Sequence, residues 1–212
     1  MRSAFADRER ERLIAAMLPD VAFDGWTMRA LRQAARRLGM PEGEAAALFP
    51  RGAPDLIAAF SHWADREMLE RMAKEAGETA GLSQRVALAL RLRFAAILPW
   101  REAVRRGFAV LALPHHAPLA IRLLYDTVDA IWRGVGDRST DFSFYTKRAT
   151  LAAVCAAATL YWLDDRSPEF ADTQAFVDRR LADLHRFGSL RGRAAALRDR
   201  VPNPLRILRP LR

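Results

Sequence analysis

Lysine is nearly absent from this chain. Of its 34 basic residues only Lys74 and Lys147 are lysines, so the positive charge rests on arginine, in part a matter of codon usage without function. A single cysteine, Cys155, excludes an internal disulfide and is compatible with a reducing compartment. The four histidines, His62, His115, His116 and His185, stand at no metal-ligand spacing from the carboxylates, and no Glu-x-x-His pair occurs. Neither a glycine-rich phosphate loop nor a Gly-x-Ser-x-Gly elbow is present. With no metal cluster, nucleophile–base pair or cofactor loop, the residues argue against an enzyme and imply no cofactor. Long apolar runs are missing too. The longest, Ala149 to Leu163, has 15 residues between Lys147-Arg148 and Asp164-Asp165, where a membrane-spanning helix needs about 20. It predicts a buried helix instead.

What is present is a globular composition, 51% hydrophobic and 28% charged over 212 residues, enough for a substantial core. The net charge of +9 invites a nucleic-acid partner, but its location does not. From Arg186 to Arg212 there are eight Arg against one Asp, so most of the excess belongs to a C-terminal tail.

Helical periodicity dominates, and no segment alternates as a strand would. A first helix spans about Arg8 to Phe23, with Leu13, Met17 and Val21 on one face and Pro19 bending it. Thr27 caps a second, whose Met28, Leu31, Ala35 and Leu38 form a stripe closed by Gly39. Glu42 to Leu48 is a short third helix, and Pro54 opens a long fourth one through Ile57, Phe60, Ala64, Met68 and Met72. Gly77 and Gly81 bracket the break before a fifth, about Ser83 to Leu98. A sixth runs from Pro99 to Pro114, and a seventh from about Pro118 to Arg133. On the seventh, Leu119, Leu123, Thr127 and Ala130 lie beside a second stripe of Leu124, Val128 and Ile131. That wide apolar face suits a helix buried by several neighbours. An eighth covers about Thr140 to Leu163. Ser167-Pro168 caps a ninth that carries Phe170, Thr173, Val177, Leu181 and Leu184. The predicted fold is all-α, with about nine helices. Residues 1–52 form a helix-turn-helix-like unit, 53–188 a larger bundle, and 189–212 the basic tail.

The stretch Gly136 to Arg148 stands apart. Ser139, Thr140 or Asp141 can cap the eighth helix, but Phe142, Phe144 and Tyr145 cannot share one helical face at about 3.6 residues per turn. At least one ring points away from the core defined by Leu151, Val154, Cys155 and Ala158. It covers a neighbouring loop or anchors a partner beside Arg148.

Residues 13–63 resemble the DNA-binding region of TetR-type repressors, through Gly25-Trp26-Thr27, Ala30-Leu31, Ala34-Ala35, Leu38-Gly39-Met40 and Leu48-Phe49-Pro50. That resemblance implies a helix-turn-helix whose second member would enter the major groove. The chemistry for it is missing: Glu42, Ala46 and Gly52 stand where such repressors place phosphate-contacting Lys, Tyr and Lys. The third helix, Glu42-Gly43-Glu44-Ala45-Ala46-Ala47, would repel the backbone whose neutralisation drives DNA affinity. Arg29, Arg32, Arg36 and Arg37 on the second helix are donors nearby, but the acidic third helix makes nucleic acid an unfavoured partner.

The signature Gly136-Asp137-x-Ser139-Thr140-Asp141-x-x-x-Tyr145-Thr146-x-Arg148 resembles that of the coenzyme Q protein nine family of ubiquinone-biosynthesis accessory proteins. Supporting matches are Ala22-Phe23-x-Gly25-Trp26, Leu48-Phe49-Pro50-x-Gly52, Trp100-Arg101-x-Ala103, Leu113-Pro114-His115, Asp126-x-x-Asp129 and Asp165-x-Ser167-Pro168, over about residues 10–187. The resemblance implies a TetR-like homodimer, paired through helices eight and nine, that binds an isoprenoid lipid or quinone intermediate. It also implies service to a di-iron quinol hydroxylase. By the same resemblance Asp129, Ile131, Trp132, Asp137, Phe144, Tyr145 and Arg148 would meet the hydroxylase. Phe144 replaces a frequent Trp and loses its indole donor. The implied lipid-cavity residues are Phe94, Leu98, Phe108, Leu111, Leu123, Leu124 and Val154, which by spacing alone are equally good core. The family ends in a membrane-touching amphipathic helix. Here the tail mixes its arginines with Leu190, Leu197 and Val201, but Pro202, Pro204 and Pro210 limit any such helix to about Ser189–Arg200. A solvated tail is the other reading. Met1-Arg2-Ser3 shows no secretory signal, and the expectation is a bacterial cytoplasmic protein peripheral to the inner membrane. A TetR-type regulator with a hydrophobic effector is the alternative function.

Overall fold

The computed structural model describes residues 2–75, 81–136 and 142–183, with only the backbone described for 2–5 and 142–147. Most of these residues are helical, and no strand occurs among them. In chain order the helices are α1 (Arg2–Asp24), α2 (Met28–Arg37), α3 (Glu42–Leu48), α4 (Ala53–Glu75), α5 (Leu82–Ile97), α6 (Arg101–Leu111), α7 (Ala117–Gly134), α8 (Phe142–Asp164) and α9 (171–183). Gly77, the expected caps Ser139 to Asp141, Leu184 and the tail lie outside the described residues.

Local chemistry sets the α2–α3 corner. The Thr27 hydroxyl accepts from Ala30 N at 3.3 Å, and α2 buries Ala30, Leu31, Ala34 and Ala35. At its end Gly39 takes φ +67°, a left-handed conformation that an L side chain adopts only under strain. Gly39 N then donates to Arg36 O at 3.1 Å and Met40 N to Ala35 O at 2.9 Å, the paired bonds that close a helix with glycine.

One continuous hydrophobic core runs from Leu13 to Leu181, across the boundary expected at residue 52. Helix α1 packs on α2 but also on α4 and α6, while α4 packs on α5 and α7, and α7 on α8. Trp26, in the short link after α1, ties the two parts together. Its indole donates to Ala103 O of α6 at 2.9 Å, and its ring lies 5.3 Å from Phe60 of α4. The indole rests on Gly107, where an added Cβ would meet its nitrogen at 3.3 Å. The Gly25-Trp26 motif is therefore a clasp onto α6.

The start of α9 differs from expectation. Ser167-Pro168 opens a 3-10 turn, Pro168–Phe170, in which Glu169 and Phe170 have φ of 51° and 50°. The α-helix begins only after it. The corner is held by Asp165, which is buried and accepts from Ser167 N at 2.8 Å, Ser167 Oγ at 2.6 Å, Thr173 N at 2.8 Å and the Thr173 hydroxyl. Arg101 donates to the Asp165 carbonyl and stacks 4.7 Å from the Trp162 ring, so the Trp100-Arg101 and Asp165-x-Ser167-Pro168 motifs meet here.

Candidate functional site

A cavity of about 370 Å³ lies between α4, α5, α6, α7 and α8. Each helix lines it with residues at helical spacing: Leu90, Arg93, Phe94 and Ile97 from α5, Ala103, Val104, Gly107, Phe108 and Leu111 from α6, and Ala120, Leu123, Leu124 and Thr127 from α7. Helix α4 adds Ile57, Phe60 and Ser61, α8 adds Cys155, Ala156 and Thr159, and Trp26 completes the wall. The deep wall is buried, while Phe108, Ala112 and Ile121 are exposed, so the opening lies where α6 ends and α7 begins. From Ala120 to Thr127 the α7 wall rises about 10 Å, at about 1.5 Å per residue. Cys155 is buried in this wall, and burial pushes its thiol up to about 12 against the weaker pull of Arg93. It is an inert apolar side chain at neutral pH.

Of the seven side chains expected around a cavity, Phe94, Phe108, Leu111, Leu123 and Leu124 line this one. Leu98 and Val154 do not. Leu98 falls in the 3-10 turn Leu98–Trp100 and points to solvent at 39% exposure, whereas Val154 is buried next to the lining residue Cys155. The sequence reading missed Trp26, Phe60, Leu90 and Ile97, and it missed every polar member: Ser61, Arg93, Thr127 and Thr159. The signal for Arg93 was a charge set in the apolar phase of Leu90, Phe94 and Ile97.

The seven expected partner-contact residues are placed less uniformly. Asp129 is half exposed on α7 and bridges Arg133 at 3.1 Å and Arg148 at 2.9 Å. Arg148 Nε also reaches Asp129 at 3.3 Å, so the pair joins the end of α7 to α8. Ile131 and Trp132 require a correction: both are buried, at 0% and 6% exposure, because α7 turns its broad apolar face onto α4 and α8. They are packing residues. Asp137 and the side chains of Phe144 and Tyr145 lie outside the described residues. No group of three or more His, Cys, Asp or Glu that could hold a metal occurs among the described residues. No single helix among them is long and apolar enough to cross a membrane.

The family model COQ9 matches residues 117–188, which take in α7, α8, the Asp165 corner and α9. Ubiquinone biosynthesis protein COQ9, mitochondrial, of Homo sapiens is 34% identical over 189 residues, covering 84% of this chain and 58% of the human protein. The Drosophila melanogaster protein of the same name is 32% identical over 187 residues, covering 85% of this chain and 56% of its own length. The chain is similar to the COQ9 family over most of its length. It spans a little under three-fifths of those two curated relatives, both mitochondrial proteins by name. The fold is shared more widely: a TetR transcriptional regulator from Nitrosomonas europaea superposes with a TM-score of 0.66 at 22% identity, over 82% of this chain and 97% of that one. The chain is thus TetR-like in fold, and the family model's match centres on the half carrying the cavity's α7 and α8 walls rather than on the helix-turn-helix.

Proposed function

We propose that the chain is a non-enzymatic accessory protein of ubiquinone biosynthesis. It buries the isoprenoid tail of a quinone intermediate in the cavity and presents the ring to a di-iron hydroxylase. The observation that carries this reading is the cavity itself, about 370 Å³ of largely apolar wall with an opening at the α6–α7 corner. Moving a prenyl tail from a bilayer into such a wall exchanges one apolar surrounding for another at little net cost, so selectivity falls to the few polar contacts. The relatives' name supplies the pathway.

The homodimer has support on the outer face of α8 and α9. Leu160 and Tyr161 are exposed at 57% and 43%, and Tyr161 stacks 5.0 Å from Phe176 of α9. The hydroxylase surface would centre on Asp129 and Arg148 with Phe144, Tyr145 and Asp137. Tyr145→Asp is expected to abolish capture of the hydroxylase while leaving the melting temperature within about 2 °C of the parent. A larger fall would make Tyr145 a core residue. Membrane contact would rest on the tail, residues 189–212.

The TetR likeness raises a DNA-binding regulator as a second reading. The corner's electrostatics oppose it: Glu42 of α3 pairs with Arg36 at 2.5 Å and with Arg32 at 3.8 Å. Two of the four arginines are thereby turned onto the protein's own carboxylate, leaving few cations for phosphates.

The testing experiment is mass spectrometry of lipids that co-purify with the parent and with Ala120→Trp. Ala120 lines the cavity at half exposure, so the indole fills space with little change to the core. Isoprenoid or quinone species should accompany the parent and fall about tenfold in the variant, in line with a site set by shape and apolar area. An equal lipid load in both proteins would place the lipid elsewhere.

A further inference from the structure

The cavity wall is largely apolar: the Thr159 hydroxyl on α8 is spent on the Cys155 carbonyl at 2.7 Å, and the remaining polar side chains come together from three helices. Arg93 of α5, Ser61 of α4 and Thr127 of α7 all line the cavity, and Asp65 of α4 stands behind them. Asp65 accepts from Arg93 Nε at 2.7 Å and from the Thr127 hydroxyl, which lies 3.0 and 3.1 Å from its two oxygens. Arg93 Nη2 reaches Ser61 Oγ at 3.2 Å and Thr127 Oγ1 at 3.4 Å. These contacts use Nε and Nη2 and, among the described residues, leave Nη1, with both its N–H groups, without a hydrogen bond. Unlike the Nε of Arg85, it is not sealed in by protein atoms. A guanidinium held this firmly, with one donor nitrogen spare in an apolar chamber, is prepared for an acceptor that arrives with a ligand.

We propose that Arg93 Nη1 is the selectivity contact of the cavity, donating to a neutral ring oxygen of a prenylated quinone or phenol. Asp65, Ser61 and Thr127 hold Arg93 in place as positioning residues. This deepens the lipid-cavity reading and rests on it. Neutrality follows from charge balance: Asp65 already matches the guanidinium, so an anionic headgroup would leave one buried negative charge uncompensated. Orientation follows from position. Thr127 is two residues along α7 from Asp129, whereas the opening at Phe108 and Ile121 lies at the other end of the lining. The ring therefore sits at the Asp129–Arg148 end and the tail runs towards the opening.

The test titrates the full chain with three soluble probes, following quenching of tryptophan fluorescence, which Trp26 in the wall makes sensitive to occupancy. The probes are decyl-dimethoxybenzoquinone, decylbenzene and myristate. The parent should bind the quinone about tenfold tighter than decylbenzene, the worth of a hydrogen bond to a charged donor, and should bind myristate no better than decylbenzene. Arg93→Lys keeps the charge opposite Asp65 but has no second terminal nitrogen. It should bring quinone and decylbenzene to within about threefold of each other without weakening decylbenzene. The double variant Asp65→Leu/Arg93→Met, which removes both charges together, should do the same, and circular dichroism checks that it folds. Equal binding of quinone and decylbenzene by the parent overturns the Arg93 assignment and leaves the cavity reading standing. Myristate preferred over the quinone overturns it in favour of an anion site. Binding of none of the three overturns the cavity reading and this assignment with it.

Discussion

Asp65→Ala should lower the unfolding free energy by about 3–5 kcal/mol, read as a shift in the urea midpoint, because it leaves Arg93 charged and buried without its partner. The two side chains are only 13% and 8% exposed, and Asp65 also anchors the Thr127 hydroxyl, so one truncation strands groups from α5 and α7 at once. Removing both charges is a different experiment. Asp65→Leu/Arg93→Met exchanges a desolvated pair for apolar surface and should unfold within about 1 kcal/mol of the parent, since ion pairs in such places repay little more than their own desolvation. Coupling of that size between the two sites is what a contact at 2.7 Å between largely buried side chains requires. A loss below about 1 kcal/mol in Asp65→Ala would mean that water solvates Arg93 as it does a surface ion pair. The cluster would then be no selectivity device, because water would already occupy the free donor.

The helices were legible because their signals are local. Thr27, Gly39 and the prolines act within one turn of where they stand, and the caps and stops at α2, α4 and α7 fall within a residue or so of expectation. The cavity was legible only by resemblance. Its lining on α5 and α7 repeats at the spacing that a packed stripe has, and a wall facing a void has the same composition as one facing a neighbour until the helices are assembled. Leu98 shows the limit of periodicity: Pro99 follows it, the backbone tightens into a 3-10 turn, and the side chain leaves the phase set by Leu90, Phe94 and Ile97. Ile131 shows the opposite fault. It belonged to the second apolar stripe of α7, whose width predicts burial, and the resemblance-based surface overrode that physical reading. Asp65 and Arg93 carried a usable signal, since each is a charge placed in an apolar phase, which is tolerated in a core only when the two charges meet.

The Asp165 corner should lose stability in acid. Burial raises the affinity of this carboxyl for a proton, but hydrogen bonds from Ser167 and Thr173 outweigh it and hold the group down to about 2, against 3.8 for a free carboxyl. Because the folded value is the lower one, the bonds add stability wherever the unfolded chain is also ionised, above about pH 4. That contribution drains away as pH falls through the folded value, and is gone only below about pH 2. It is worth on the order of 2 kcal/mol. Asp165→Asn keeps the shape and removes the charge, so the difference in stability between parent and variant should be near this value at pH 6 and shrink as the pH approaches 2. A difference independent of pH would assign the corner's stability to packing. Asp165→Ala, which strands two backbone and two hydroxyl donors, should cost about 3 kcal/mol at pH 6. Its consequence reaches the cavity, because the turn that Asp165 fixes places Phe170 edge-on to Phe94, with centroids 6.3 Å apart, and Phe94 in turn lies 5.5 Å from Trp162. Phe94 is itself a wall of the cavity, so loosening the corner frees that ring to move. Asp165→Ala should therefore weaken both decyl-dimethoxybenzoquinone and decylbenzene by a similar factor. An Arg93 variant should change their ratio instead, and the pair of results separates the shape of the wall from the chemistry of the Arg93 contact.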